Sequence, residues 1–271
     1  MSIFKYIREF FILSITVLGI SYLYRKILNH RGPLVRVLVF HDVVNAQWFE
    51  KILVSLHSRF NTITPKEFAE STFDTERINI LITFDDGYAS WTGVCLPILE
   101  QYDVKALFFI NSGIPELHEK EVELNAYLKN NLLISPHETL SWDDVGILYE
   151  AGHTIGGHSV SHARLSCLSE DAQRQEIVSD KEKIEHMLGT AIAMFAYPFG
   201  GSGDYTDMTK RLTEEAEYAH AFTTAGKFVD HEDTYAVSRM CVEDNQSPKS
   251  LNRWILGGYD IYRMIKGICA R

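Results

Sequence analysis

Ile82-Thr83-Phe84-Asp85-Asp86-Gly87-Tyr88 is the stretch from which the fold can be read. An apolar run, residues 80–84, ends in two adjacent carboxylates and a glycine, and a helical pattern opens behind them. A run of that length suits a buried strand. Two like charges side by side at a strand end are unfavourable unless a cation neutralises one of them. The competing reading is an Asp-Asp-Gly turn with a solvated helix cap. Gly87 permits the sharp turn that would put both side chains at the strand's end.

The same grammar repeats on either side. Apolar runs at residues 34–40, 106–110, Thr154–Gly157, 192–196, His220–Thr223 and 235–240 have strand length. Amphipathic segments at 47–57, 88–101, 142–151, Glu170–Leu188, 206–217 and 248–266 alternate with them, and Ser169 is a cap candidate for Glu170–Leu188. Strand-helix alternation through the whole body indicates a parallel sheet. About seven such units predict an α/β fold, a distorted and incomplete (β/α) barrel. Residues 111–141, rich in acids and histidines, are the longest interruption and read as a rim loop or lid, or as a plain solvated excursion.

The chain has 271 residues, 46% hydrophobic and 23% charged, which excludes disordered and fibrous classes. Its net charge is −10, unevenly spread. Residues 1–36 carry six basic side chains against Glu9 alone, so +5 sits there and −15 on the remainder. A body that acidic argues against a nucleic-acid partner. Cys95, Cys167, Cys241 and Cys269 are scattered, which points to reduced core thiols rather than a disulfide framework.

Residues 10–24 read FFILSITVLGISYLY, without a charge, and Lys5, Arg8, Arg25 and Lys26 flank them. With no small-x-small cleavage site before Arg25, an uncleaved single-pass membrane anchor is expected over residues 1–31, ahead of a catalytic domain at 32–271. A cleaved signal and a helix buried in the domain are the alternatives. The basic residues leave the membrane face open, leaning toward a cytoplasmic domain.

Two further segments follow strands of the same sheet, and so belong on the same rim. His158-Ser159-Val160-Ser161-His162 spaces two histidines four apart, as on one helical turn, where they can share a metal. Two histidines and one aspartate make a three-ligand site with open positions. Phe195-Ala196-Tyr197-Pro198-Phe199-Gly200-Gly201 is an irregular loop able to aim a backbone N–H at an oxyanion, or simply a tight connection.

In this order, TFDDG, HSVSH and AYPFG resemble the three motifs of the polysaccharide deacetylases, carbohydrate esterase family 4, over about residues 34–245. The resemblance implies that Asp85 is the catalytic base and that Asp86, His158 and His162 hold a divalent metal, zinc first, with cobalt or nickel as alternatives. It implies that the Phe199 N–H lies at the oxyanion. Ala196 stands where many members carry the arginine that pairs with the base, and Arg239, at the end of the seventh predicted strand, is the candidate replacement, or else part of an ion pair elsewhere. The C-terminal Leu-x-His of many members is missing. Val39-Phe40-His41-Asp42 instead resembles the permuted branch that includes the poly-N-acetylglucosamine deacetylases, which implies His41 as the general acid, the alternative being that it packs against its own helix. The implied reaction is removal of N-acetyl groups from a glycan or lipid-linked amino sugar. An O-acetyl esterase, a deformylase and a non-catalytic glycan binder are the alternatives. Trp142 is read as packing, and the remaining histidines, His137 and His153 among them, as structural or exposed.

Overall fold

The structure is a computed structural model that describes residues 3–230 and 232–269. Eight parallel strands form one sheet: β1 (Val35–Phe40), β2 (Asn61–Thr62), β3 (Asn79–Asp85), β4 (Leu107–Ile110), β5 (Thr154–Gly157), β6 (Met194–Ala196), β7 (His220–Thr223) and β8 (Val237–Cys241). The order runs β1-β8-β7-β6-β5-β4-β3-β2, and β1 also pairs with β3, so seven strands close into a barrel. The two-residue β2, absent from the sequence reading, hangs on the first two residues of β3, while β4 takes the last three.

Side-chain alternation divides the strands between two cores. Val35, Val37, Leu81, Leu107, Phe109, Ala196, Phe222 and Val237 pack together in the barrel interior. Leu38, Phe40, Ile80, Ile82, Phe84 and Phe108 face the helices, with Phe84 stacked on Phe108 at 4.7 Å. Thr83 and Asp85 share the parity of Leu81, and Arg239 shares that of Val237. These polar side chains therefore point into the barrel at its C-terminal end, where parallel barrels carry their chemistry.

The flanking helices follow the predicted order. Ser169 accepts from Ala172 N and caps Glu170–Leu188, which Gly189 ends in a left-handed turn. The segment at 88–101 starts later, with a wide turn at Trp91–Cys95 leading into Leu96–Gln101. Residues 111–141 are not plain loop, since they contain the helices Gly113–Leu117 and Glu121–Tyr127. The single helix expected over 248–266 is broken at Gly257, whose φ of 93° is left-handed. The Tyr24 ring stands where a Cβ there would lie, 2.9 Å away.

The expected membrane-spanning anchor is corrected. Among the described residues no helix is long and apolar enough to cross a membrane. The chain turns at Gly19, φ 74°, and makes two short helices, α1 (Ile3–Val17) and α2 (Ile20–Asn29). Both lie against the C-terminal segment. Ile12 is buried in the larger core, Arg8 makes a two-pronged bond with Glu243, Glu9 accepts from Ser250 and Trp254, and Arg25 donates to Leu256 O. Of the cysteines, Cys95 is buried but Cys167 and Cys241 are exposed, so the core-thiol expectation fails for those two. The Cys269 side chain and His231 lie outside the described residues.

Candidate active site

The C-terminal ends of β1, β3, β5, β6 and β8 converge on one cluster. Asp85 ends β3 and is 3% exposed, and Arg239 from β8 holds both its oxygens, at 2.6 and 2.7 Å. Arg239 is fully buried, and its guanidinium also faces the Phe109 ring at 5.1 Å. The pair forms because both residues have inward parity, and β1, lying between their strands, pairs with each.

Asp86 follows with φ 86° and swings away from Asp85, toward His158 and His162. Both histidine Nε2 atoms lie 3.4 Å from Asp86 Oδ1. His158 Nδ1 donates to Ala196 O at 2.7 Å and His162 Nδ1 faces Asn131 O at 3.3 Å. With Nδ1 committed to carbonyls, each ring turns its Nε2 lone pair toward Asp86. All three side chains are buried, and one ligand atom from each lies within 4.8 Å of the others. Among the described residues, Asp86 Oδ1 has no hydrogen-bond partner. A buried carboxylate oxygen left bare between two imidazole lone pairs is costly unless a cation fills the gap. A His₂Asp set with an open side suits a divalent ion such as zinc.

The electrostatics agree with that reading for Asp86 and His162. Burial alone would raise the Asp86 carboxyl, but His158, His41 and His162 outweigh it and hold it well below the usual range. Burial pushes His162 down to about 4, the side on which imidazole is a neutral ligand. His158 is also opposed by burial, yet Asp85 and Asp86 raise it.

The histidine pair does not sit on a helical turn, as its spacing suggested. Residues 158–164 form a loop with Ser159 and His162 both left-handed. Asn111 Nδ2 bonds to the carbonyls of His158 and Ser159, and Glu176 takes Ser161 N and Oγ at 2.8 and 2.7 Å. Under this loop sits Asp180, wholly buried, which accepts from Ser112 N and His158 N, each at 2.9 Å. Burial pushes its carboxyl up to about 7 against those bonds. Sequence reasoning missed Asp180. Its one signal is the spacing Glu176-Asp180 on a single helix face, indistinguishable from the helix's other acids.

Phe199 also has positive φ, 63°, and its ring packs on His162 at 4.5 Å. Among the described residues its N–H has no partner. Among the described residues, Asp86, Ser159, His162 and Phe199 are four of the nine non-glycine residues with positive φ. Such backbone persists where surrounding structure over-determines it, typically at functional sites.

His41 follows β1 at the mouth, exposed, and acts electrostatically on Asp86. It lines a groove of about 460 Å³ with Asp42, Trp48, Tyr88, Glu243 and Asp244. Strand β1 ends at Phe40, and Asp42 pairs with His137 of the rim segment at 2.9 Å. Besides Asp42, His137 meets the Tyr88 ring edge-on. Trp142 lies half-buried against the larger core, in keeping with packing.

Comparisons with known proteins agree. A family profile described as "Polysaccharide deacetylase" matches residues 73–221, more than half of the chain. YxkH of Bacillus subtilis, provisionally named a polysaccharide deacetylase, is 24% identical over 232 residues, 81% of this chain and 75% of that protein. A peptidoglycan-N-acetylglucosamine deacetylase of Bacillus cereus is 28% identical over 125 residues, 46% of this chain but only 37% of that protein. Among solved structures, the Streptococcus pyogenes deacetylase PplD in complex with acetate superposes with a TM-score of 0.68 at 20% identity, over 82% of this chain and 98% of that one. IcaB from Ammonifex degensii superposes with a TM-score of 0.67 at 21% identity, over 83% and 98%. These structural likenesses establish the barrel, and with the profile match and the three motifs on one rim they lead to one conclusion: the chain belongs to the polysaccharide deacetylase family.

Proposed function

We propose that this protein is a metal-dependent hydrolase that removes N-acetyl groups from an amino sugar of a glycan or lipid-linked saccharide, with residues 32–271 as its catalytic domain. The observation that carries this reading is the bare Asp86 Oδ1, 3.4 Å from both histidine Nε2 atoms. Asp86, His158 and His162 would hold the ion, zinc by the chemistry of the donor set, with cobalt or nickel as substitutes. A divalent cation supplies Lewis acidity there.

The chain's own groups account for the proton movements. Asp85 accepts a proton from the attacking water, and Arg239 fixes the carboxylate for that task through both oxygens. Water oxygen bonds to the acetyl carbon, and the free Phe199 N–H is available to the developing oxyanion. His41 gives its proton to the sugar nitrogen as the C–N bond breaks, because an amide nitrogen leaves poorly as an anion. Acetate and a free amine are the products. The groove beside His41 carries Trp48 and Tyr88, whose rings suit a sugar face.

The test is to incubate the full chain, loaded with zinc, cobalt or nickel, with N-acetylglucosamine oligomers and with O-acetylated sugars, quantifying acetate and new amine. Equal amounts of the two from the N-acetylated substrate support the reading. Acetate from O-acetyl substrates alone makes the protein an esterase, and no release from any substrate makes it a binding protein.

A further inference from the structure

The N-terminal hairpin carries more apolar surface than its packing uses. Along α1, Ile12 and Ile15 are buried against the body, while Ile3, Ile7, Phe10 and Val17 form a second stripe at helical spacing on the outside. Along α2, Ile20, Leu23 and Ile27 repeat the pattern. Leu18 lies at the turn between them, and these outward residues are 43–76% exposed. The helix Tyr259–Cys269, which meets α1 through Tyr262 against Phe11, adds exposed Met264 and Ile265. Scattered exposed leucines need no explanation, but stripes on three adjoining helices do.

The exposed charges carried by these three helices are of one sign, while Asp230 and Glu232 of the body share a groove with Arg31. Lys26, Arg31, Arg263 and Lys266 are exposed. The single acid of residues 1–36, Glu9, is turned inward onto Ser250 and Trp254. Tyr6 and Tyr22 are also exposed there, with Lys26 against the Tyr22 ring at 5.2 Å. Apolar stripes bordered by cations and tyrosines match the headgroup region of an anionic bilayer. A second copy of the chain would set these cations against their like.

We infer that α1 and α2 hold the protein on an anionic membrane by lying in the plane of the interface, without crossing it. The body side of α1 stays on the barrel, because withdrawing it would break the Arg8–Glu243 pair and expose Ile12. Lys5 and Arg8 both reach Glu243, which lines the groove beside His41. Docking α1 therefore brings the mouth of the active site to the membrane surface.

The experiment is flotation of the full chain with vesicles of mixed phosphatidylcholine and phosphatidylglycerol, and with vesicles of phosphatidylcholine alone. The protein should float with the mixed vesicles, and Leu23→Asp/Ile27→Asp should cut the bound fraction about tenfold or more. Lys26→Glu/Arg31→Glu should remove the preference for the anionic lipid. Unchanged thermal midpoints show that the variants fold; if the first does not, Ile7→Asp on the other helix replaces it. Amide exchange in residues 8–16 and 248–258 should stay protected on vesicles. Wild type that floats with neither vesicle, a variant that floats as well as wild type, or a dimer split by the aspartates without vesicle binding would each overturn the inference. So would loss of protection at 8–16, which would mean that α1 leaves the barrel and inserts.

Discussion

Arg239 and Asp85, 154 residues apart, meet inside the top of the barrel as a two-pronged ion pair at 2.6 and 2.7 Å, both buried. The fork leaves Asp85 in one orientation beside His158 Nε2, 3.9 Å from its Oδ2. Replacing the arginine leaves a buried carboxylate alone, which costs about 3–5 kcal/mol. Arg239→Met should lower the unfolding free energy by that amount and kcat about a hundredfold. Arg239→Lys, with its charge but no fork, should recover only part of both. Urea unfolding and steady-state acetate release are the measurements; wild-type turnover in Arg239→Met would remove Arg239 from the mechanism.

His41 is exposed, so its loss tests chemistry rather than folding. His41→Ala should slow amide hydrolysis by about 10²–10⁴-fold. It should slow an activated acetate ester far less, because that leaving group departs unprotonated. Equal losses on the two substrates would show that His41 does not act as the acid. Asp42 cannot serve as an inert control, since it ties down His137 and through it the rim.

Asp180 is a positioning residue for the metal ligands. It joins the end of β4, through Ser112 N, to the start of the histidine loop, through His158 N. Asp180→Ala strands the buried Ser112 N–H, leaves His158 N with Ile110 O alone, and should weaken zinc binding about 10–100-fold in calorimetric titration. Asp180→Asn keeps one acceptor and should fall between the two. A purely structural role would lower the thermal midpoint of Asp180→Ala and leave its zinc affinity at the wild-type value.

His153 predicts a pH dependence of stability away from the site. It is 3% exposed, its Nδ1 accepts from Ala106 N at 3.0 Å, and burial, with Lys105 adding to it, pushes it down to about 4. An unfolded histidine titrates near 6.5. Between those values the unfolded chain takes up a proton that the folded one refuses. Stability from this group is therefore complete above pH 6.5 and is lost as pH falls through 4, on the order of 3 kcal/mol. His153→Gln, which can still accept from Ala106, should flatten thermal midpoints between about pH 7 and pH 4.5.

Much of this architecture was legible in the chain because strand and helix periods are local. Asp85, Asp86, His158, His162 and Phe199 could be placed on one rim because each follows an apolar run of the same parallel sheet. Arg239 was legible only as a candidate, because its partner depends on which strands close the ring. Asp180 was not legible, because a buried acid on a charged helix has the same local pattern as an exposed one. The hairpin was misread for a related reason. Residues 10–24 are uncharged in composition, but Gly19 divides them, and Arg8 and Glu9 find partners more than 230 residues away.

A metal titration of activity tests the role of Asp86, His158 and His162 most directly. Full-length protein stripped by chelation should release acetate from N-acetylglucosamine oligomers in proportion to added zinc, saturating at one equivalent, while Asp86→Ala should neither bind that equivalent nor turn over. Wild-type rates in the stripped protein, or in Asp86→Ala, would contradict it.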